Sequence, residues 1–116
     1  MLTAFKVFSA LVALLHFGFL VLEMFLWATP FGMKVFRLSE NEAQITKILA
    51  QNQGLYNGFL ATGIVYGLVT GDLRVIVLFL IFVAIAGVYG GVTASSRIIY
   101  IQALPALMTL TIGLFL

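Results

Sequence analysis

The chain contains no cysteine. That excludes a disulfide framework, a thiolate nucleophile and any metal site built on thiolates. Charge is almost as scarce. Only 9% of the 116 residues are charged, against about 25% in an ordinary soluble domain. The net charge of +2 is too small to argue for a nucleic-acid partner. There is one histidine, and with so few carboxylates the chain falls short of a usual metal-coordination set, so no metal and no cofactor is expected. Proline occurs twice, at Pro30 and Pro105. What fills the chain is apolar: 63% of residues are hydrophobic. One domain over residues 1–116 is expected, because nearly every residue is needed for membrane-spanning segments.

The first hydrophobic helix organises the rest. Hydrocarbon about 30 Å thick is crossed by about 20 apolar residues at 1.5 Å rise, and residues 7–28 meet that length. At 100° per residue, Ser9, His16, Glu23 and Trp27 fall within about 20° of one line. A polar stripe on an otherwise apolar helix points toward partner helices. Ionisable groups at such depth are functional candidates. The competing reading makes His16 and Glu23 interhelical glue, or leaves Glu23 and Trp27 at the interface. Lys6 before an apolar run superficially resembles a signal peptide. The run is too long, carries His16 and Glu23, and ends in Ala28-Thr29-Pro30, a poor cleavage site, so cleavage is not expected.

Pro30 is expected to stop the first helix. The following Phe31-Gly32-Met33-Lys34-Val35-Phe36-Arg37-Leu38 suits a short segment at the membrane interface, with an ordinary loop as the alternative. Ser39 and Glu42 form a capping box, which starts helix two near Glu40. That helix carries the densest polar cluster: Asn52 and Tyr56 are four apart, as are Gln53 and Asn57, giving two polar ridges. Gly54 and Gly58 lie on the other side, where another backbone could approach. Thr70-Gly71-Asp72 reads as a tight turn. Helix three is apolar, then rich in small residues, with Ala84, Gly87 and Gly91 on one packing face. Tyr89 and Thr93 are four apart on it. Gln102, Pro105, Thr109 and Gly113 form a stripe on helix four, where Pro105 should kink the helix. The expected fold is all-α: an antiparallel bundle of four transmembrane helices at about residues 4–28, 40–69, 73–94 and 98–116.

Alternating direction places Glu23, Asn52, Gln53, Tyr56, Tyr89, Thr93 and Gln102 in one half of the bilayer, with His16 and Asn57 nearer its middle. The expectation is a polar pocket walled by Glu23 and floored by His16 and Asn57. Lys34, Arg37, Lys47 and Arg97 share that side, and Lys6, Arg74 and the terminal amine the other. The positive-inside rule then gives a weak bias to both termini outside.

The pattern His16, Glu23, Trp27, then Asn52-Gln53-Gly54-Leu55-Tyr56-Asn57-Gly58-Phe59-Leu60-Ala61, then Ala86-Gly87-Val88-Tyr89-Gly90 resembles a bacterial family of small four-helix inner-membrane proteins, defined only as a domain of unknown function. The resemblance spans nearly the whole length. It implies the fold and a multi-pass place in the inner membrane, and carries no chemistry to transfer. In length, and in a Glu on the first helix, the chain is also similar to the small multidrug transporters, but it lacks their aromatic pattern around that Glu.

Three functions fit. The first is binding or transport of a small or amphipathic ligand at Glu23, by a protein that would act as a homo-oligomer, since alternating access needs paired or inverted units. The second is a cofactor-free intramembrane enzyme, isomerase- or epimerase-like, on a lipid or isoprenoid substrate. There Glu23 or His16 would transfer protons, with Asn52, Gln53, Tyr56 and Tyr89 holding the substrate. The third is a non-catalytic partner subunit among membrane lipids and neighbouring helices.

Overall fold

A computed structural model describes all residues from Met1 to Leu116, and every regular element in it is helical. Five α-helices follow in order: α1 (Leu2–Met24), α2 (Pro30–Phe36), α3 (Glu40–Thr70), α4 (Leu73–Thr93) and α5 (Leu104–Gly113). A π-helical turn, Ile99–Ala103, leads directly into α5. The chain divides into two compact units, one of Met1–Leu14 with Leu60–Leu116, the other of Leu15–Phe59.

The expected first helix is cut shorter than its apolar run. It ends at Met24, and Pro30 begins a helix instead of stopping one. The cause is local. A residue before proline is driven out of the helical region, and Thr29 is extended at φ −82° and ψ 160°. There its hydroxyl oxygen accepts from the Gly32 amide at 3.2 Å, so Thr29 is the N-cap of α2, with Pro30 in the first turn where its missing N–H is harmless. The same hydroxyl donates to the Leu26 carbonyl at 2.6 Å. Gly32 is buried against that carbonyl, and any Cβ there would collide with it. The segment after Pro30 is thus a short helix. It ends at Arg37, which sits in the left-handed region at φ 55°. The amides of Arg37 and Leu38 both return to the Met33 carbonyl.

The capping box forms as its spacing requires. The Ser39 amide donates to Glu42 Oε1 and the Glu42 amide to Ser39 Oγ, each at 3.1 Å. Backbone donation from Ser39, followed by its hydroxyl, holds the Glu42 carboxyl below its usual range. Between α3 and α4, Gly71 takes φ +70°, and Asp72 caps α4 by accepting from the amides of Arg74 and Val75.

In the unit of Met1–Leu14 with Leu60–Leu116, the core is made by Phe5, Val12, Ile64, Ile76, Leu80 and Val83, filled in by alanines. Small residues set its closest approaches. A Cβ on Gly87 would lie 2.8 Å from the Ala103 Cα, and one on Gly67 would lie 2.6 Å from Ile76 Cγ1. The stripe expected on the last helix faces inward at Thr109, which is fully buried and donates to the Pro105 carbonyl at 2.8 Å. Pro105 cannot donate to the carbonyl four residues before it. The chain absorbs this by widening: Leu104 donates to Ile99, five residues back.

Candidate ligand site at Glu23 and Asn57

The unit Leu15–Phe59 holds the last turns of α1, all of α2 and the first part of α3. The inward face of α3 here is small: Ala43, Ala50, Gly54 and Gly58 are buried along it, with Asn57 as the polar member. Gly54 fixes the fit. A Cβ there would meet Met24 Cγ at 2.7 Å, Glu23 Cβ at 3.1 Å and the Leu20 carbonyl oxygen at 3.2 Å. Gly58 faces the Leu20 side chain. Only a residue without a side chain lets α1 lie this close. That closeness brings Glu23, 9% exposed, beside Asn57, 5% exposed. Asn57 Nδ2 donates to Glu23 Oε1 at 2.5 Å. The bond satisfies a buried carboxyl oxygen that would otherwise be stranded.

Two residues expected at different depths therefore meet. Asn57 is at the carboxyl of Glu23 and not only at a floor beneath it. His16 is completely buried, with its ring edge-on to Phe19 at 5.1 Å. Ser9, on the same line of α1 but in the other unit, is also completely buried and donates to the Phe5 carbonyl at 2.7 Å. The stripe read from the spacing does point inward.

The remaining candidates are disposed differently. Asn52, Gln53 and Tyr56 are exposed on α3, with the Tyr56 ring 6.1 Å from that of Phe59. Tyr89 and Thr93 are exposed on α4, and the Thr93 hydroxyl donates to its own helix at the Tyr89 carbonyl. Gln102 is half-buried in the π-helical turn. No three His, Cys, Asp or Glu side chains gather as metal ligands would.

A second polar tie was not anticipated. Trp27 Nε1 donates to Thr46 Oγ1 at 2.9 Å, and Thr46 donates to the Glu42 carbonyl at 2.7 Å. The Trp27 ring also lies on Phe36 at 4.5 Å. The signal was present in the spacing: Thr46 lies three residues after Ala43 and four before Ala50, on the inward ridge of α3.

These features define a small all-helical protein in which a carboxyl and an amide are paired between two close helices. The chain belongs to the family described as Protein of unknown function (DUF1304), whose model matches residues 10–114. It is similar to the Uncharacterized protein YpaA of Lactococcus lactis subsp. lactis (strain IL1403), with 30% identity over 113 residues, 94% of this chain and 95% of that protein. No solved structure matches the chain.

Proposed function

We propose that this is a four-span protein of the bacterial inner membrane that binds or transports a small or amphipathic ligand at Glu23 and Asn57. α1 with Phe25, and α4, are each long and apolar enough to cross a membrane. Only 28% of the apolar window in each is buried inside the protein. A core helix of a soluble protein would be mostly buried, so lipid is the better cover for the rest. α3, entering near Ile48, and the shorter apolar stretch Ile99–Gly113 supply the other two spans in this reading. Glycine and alanine at the helix contacts agree with it, because within lipid the association of helices rests on close packing and polar contacts.

The observation that carries the ligand reading is the Glu23–Asn57 pair itself. It joins the last turn of α1 to α3 and is buried yet not sealed. Asn57 engages one carboxylate oxygen and orients the group, which leaves the other to accept from an ammonium or hydroxyl of a ligand. Such a ligand is small or has an apolar tail that lies along the helices.

Native mass spectrometry of the protein in mild detergent, followed by organic extraction, tests this. A defined small molecule should copurify with the wild type and be lost in Glu23→Gln and Asn57→Ala. Bulk phospholipid alone, retained equally by all three, would overturn the reading.

A further inference from the structure

The Glu23–Asn57 pair leaves two polar atoms over. Asn57 Nδ2 donates to Glu23 Oε1, and neither side chain has another partner. Glu23 Oε2 and Asn57 Oδ1 accept from nothing in the protein, yet neither atom is sealed from the surface. The side chains that bear them are 9% and 5% exposed. Leu20, Met24, Gly54 and Gly58 pack around the pair, and none of them carries a side-chain donor. The site is a narrow opening that presents acceptors.

Counting donors selects the head group that fits. Two acceptors on one pair ask for two donors on one head. A hydroxyl has one, a quaternary ammonium has none, and a primary ammonium has three. Charge selects the same group. The partner of the carboxyl is a neutral amide, and a buried carboxylate is costly unless a cation pairs with it. A carboxyl and an amine form an ion pair whichever of them held the proton before they met. A carboxylate or phosphate head would set oxygen against oxygen. The apolar surroundings at Leu20 and Met24 suit an alkyl chain behind the head.

We propose that the ligand of this site is a primary ammonium carrying an apolar chain, with its N–H groups shared between Glu23 Oε2 and Asn57 Oδ1. This rests on the ligand reading above and narrows it to one head group.

Decylamine, decanol and decyltrimethylammonium share a chain and differ in the head. Each would be titrated into the protein in mild detergent at neutral pH, where an alkylamine is protonated. Native mass spectrometry counts what is bound. Trp27, the single tryptophan, lies four residues beyond Glu23 and gives a separate fluorescence readout. The wild type should bind decylamine about tenfold or more tightly than either other probe, as hydrogen bonds to a charged group predict. Glu23→Gln should abolish that preference and Asn57→Leu should narrow it. The ranking of probes on the wild type requires no variant to fold. Equal binding of all three probes, or a preference for decylamine that survives Glu23→Gln, would overturn the inference. A neutral or anionic molecule that copurifies and is lost in Glu23→Gln, with no binding of decylamine, would overturn it and leave the ligand reading standing. Bulk phospholipid alone, with no binding of any probe, would remove both.

Discussion

At the scale of single residues, Glu23 and Asn57 make the most specific predictions. Glu23→Gln keeps an oxygen that can accept from Asn57, so thermal unfolding should move little while ligand retention is lost. Asn57→Leu removes the donor and leaves the carboxyl without it. That should cost about 1–3 kcal/mol, the range for stranding a buried polar group, read as a lower melting temperature in detergent. Equal losses from the two variants would show that the pair is not what orients the carboxyl. The inward stripe of α1 was legible because helical periodicity alone places Ser9, His16 and Glu23 on one line. Which amide would meet Glu23 was not. Asn52, Gln53 and Asn57 are chemically alike and closely spaced, and only the buried ridge of Ala43, Ala50, Gly54 and Gly58 separates Asn57, which faces in, from the two that face out.

Among the elements, the helix contacts depend on what stands opposite each glycine. Gly87 faces backbone atoms of Ala103, whereas Gly58 faces the methyl end of Leu20. Backbone cannot turn aside as a side-chain tip can. Gly87→Ala should therefore destabilise by about 1–3 kcal/mol, as overpacking does, with Gly58→Ala much milder. The two melting temperatures, measured side by side, check the order. At the start of α3, Ser39→Ala should cost about 1 kcal/mol through loss of the cap. The Glu42 carboxyl is held below its usual range by Ser39, so its contribution is fully present above the ordinary carboxylate pKa. It is lost as pH falls through the lowered folded value. Protection of the Ser39 and Glu42 amides, measured against their intrinsic exchange rates, should fall in that acid window and hold above it. The capping box and the Gly71 turn were readable from short sequence signals. The end of α1 was not, because apolar Phe25 and Leu26 continue the hydrophobic run while Thr29 and Pro30 impose a new helix by backbone geometry. Apolarity reports on burial or lipid and is silent on where the backbone breaks.

On the scale of the whole molecule, the four-span reading proposed above would put Lys34, Arg37, Lys47 and Arg97 on one side and Lys6 and Arg74 on the other. The positive-inside rule would then assign the first side to the cytoplasm. A membrane-impermeant maleimide applied to intact spheroplasts should label Thr3→Cys, and should reach Asn41→Cys only after permeabilisation. The reverse pattern would invert the orientation, and labelling of both from one side would exclude a single crossing by α1. The π-helical turn has a consequence for how such a chain can change length. A widened turn is a helix holding one residue more than its neighbours need. Deleting one residue within Ile99–Ala103 should let the backbone revert to ordinary winding, with Ala106 and Thr109 still facing inward. The same deletion between Met108 and Leu110 has no slack to consume. It would rotate the remainder of the helix by about 100° and turn its inward face out. The turn is thus a joint at which members of this family could gain or lose a residue without losing the phase of their last helix.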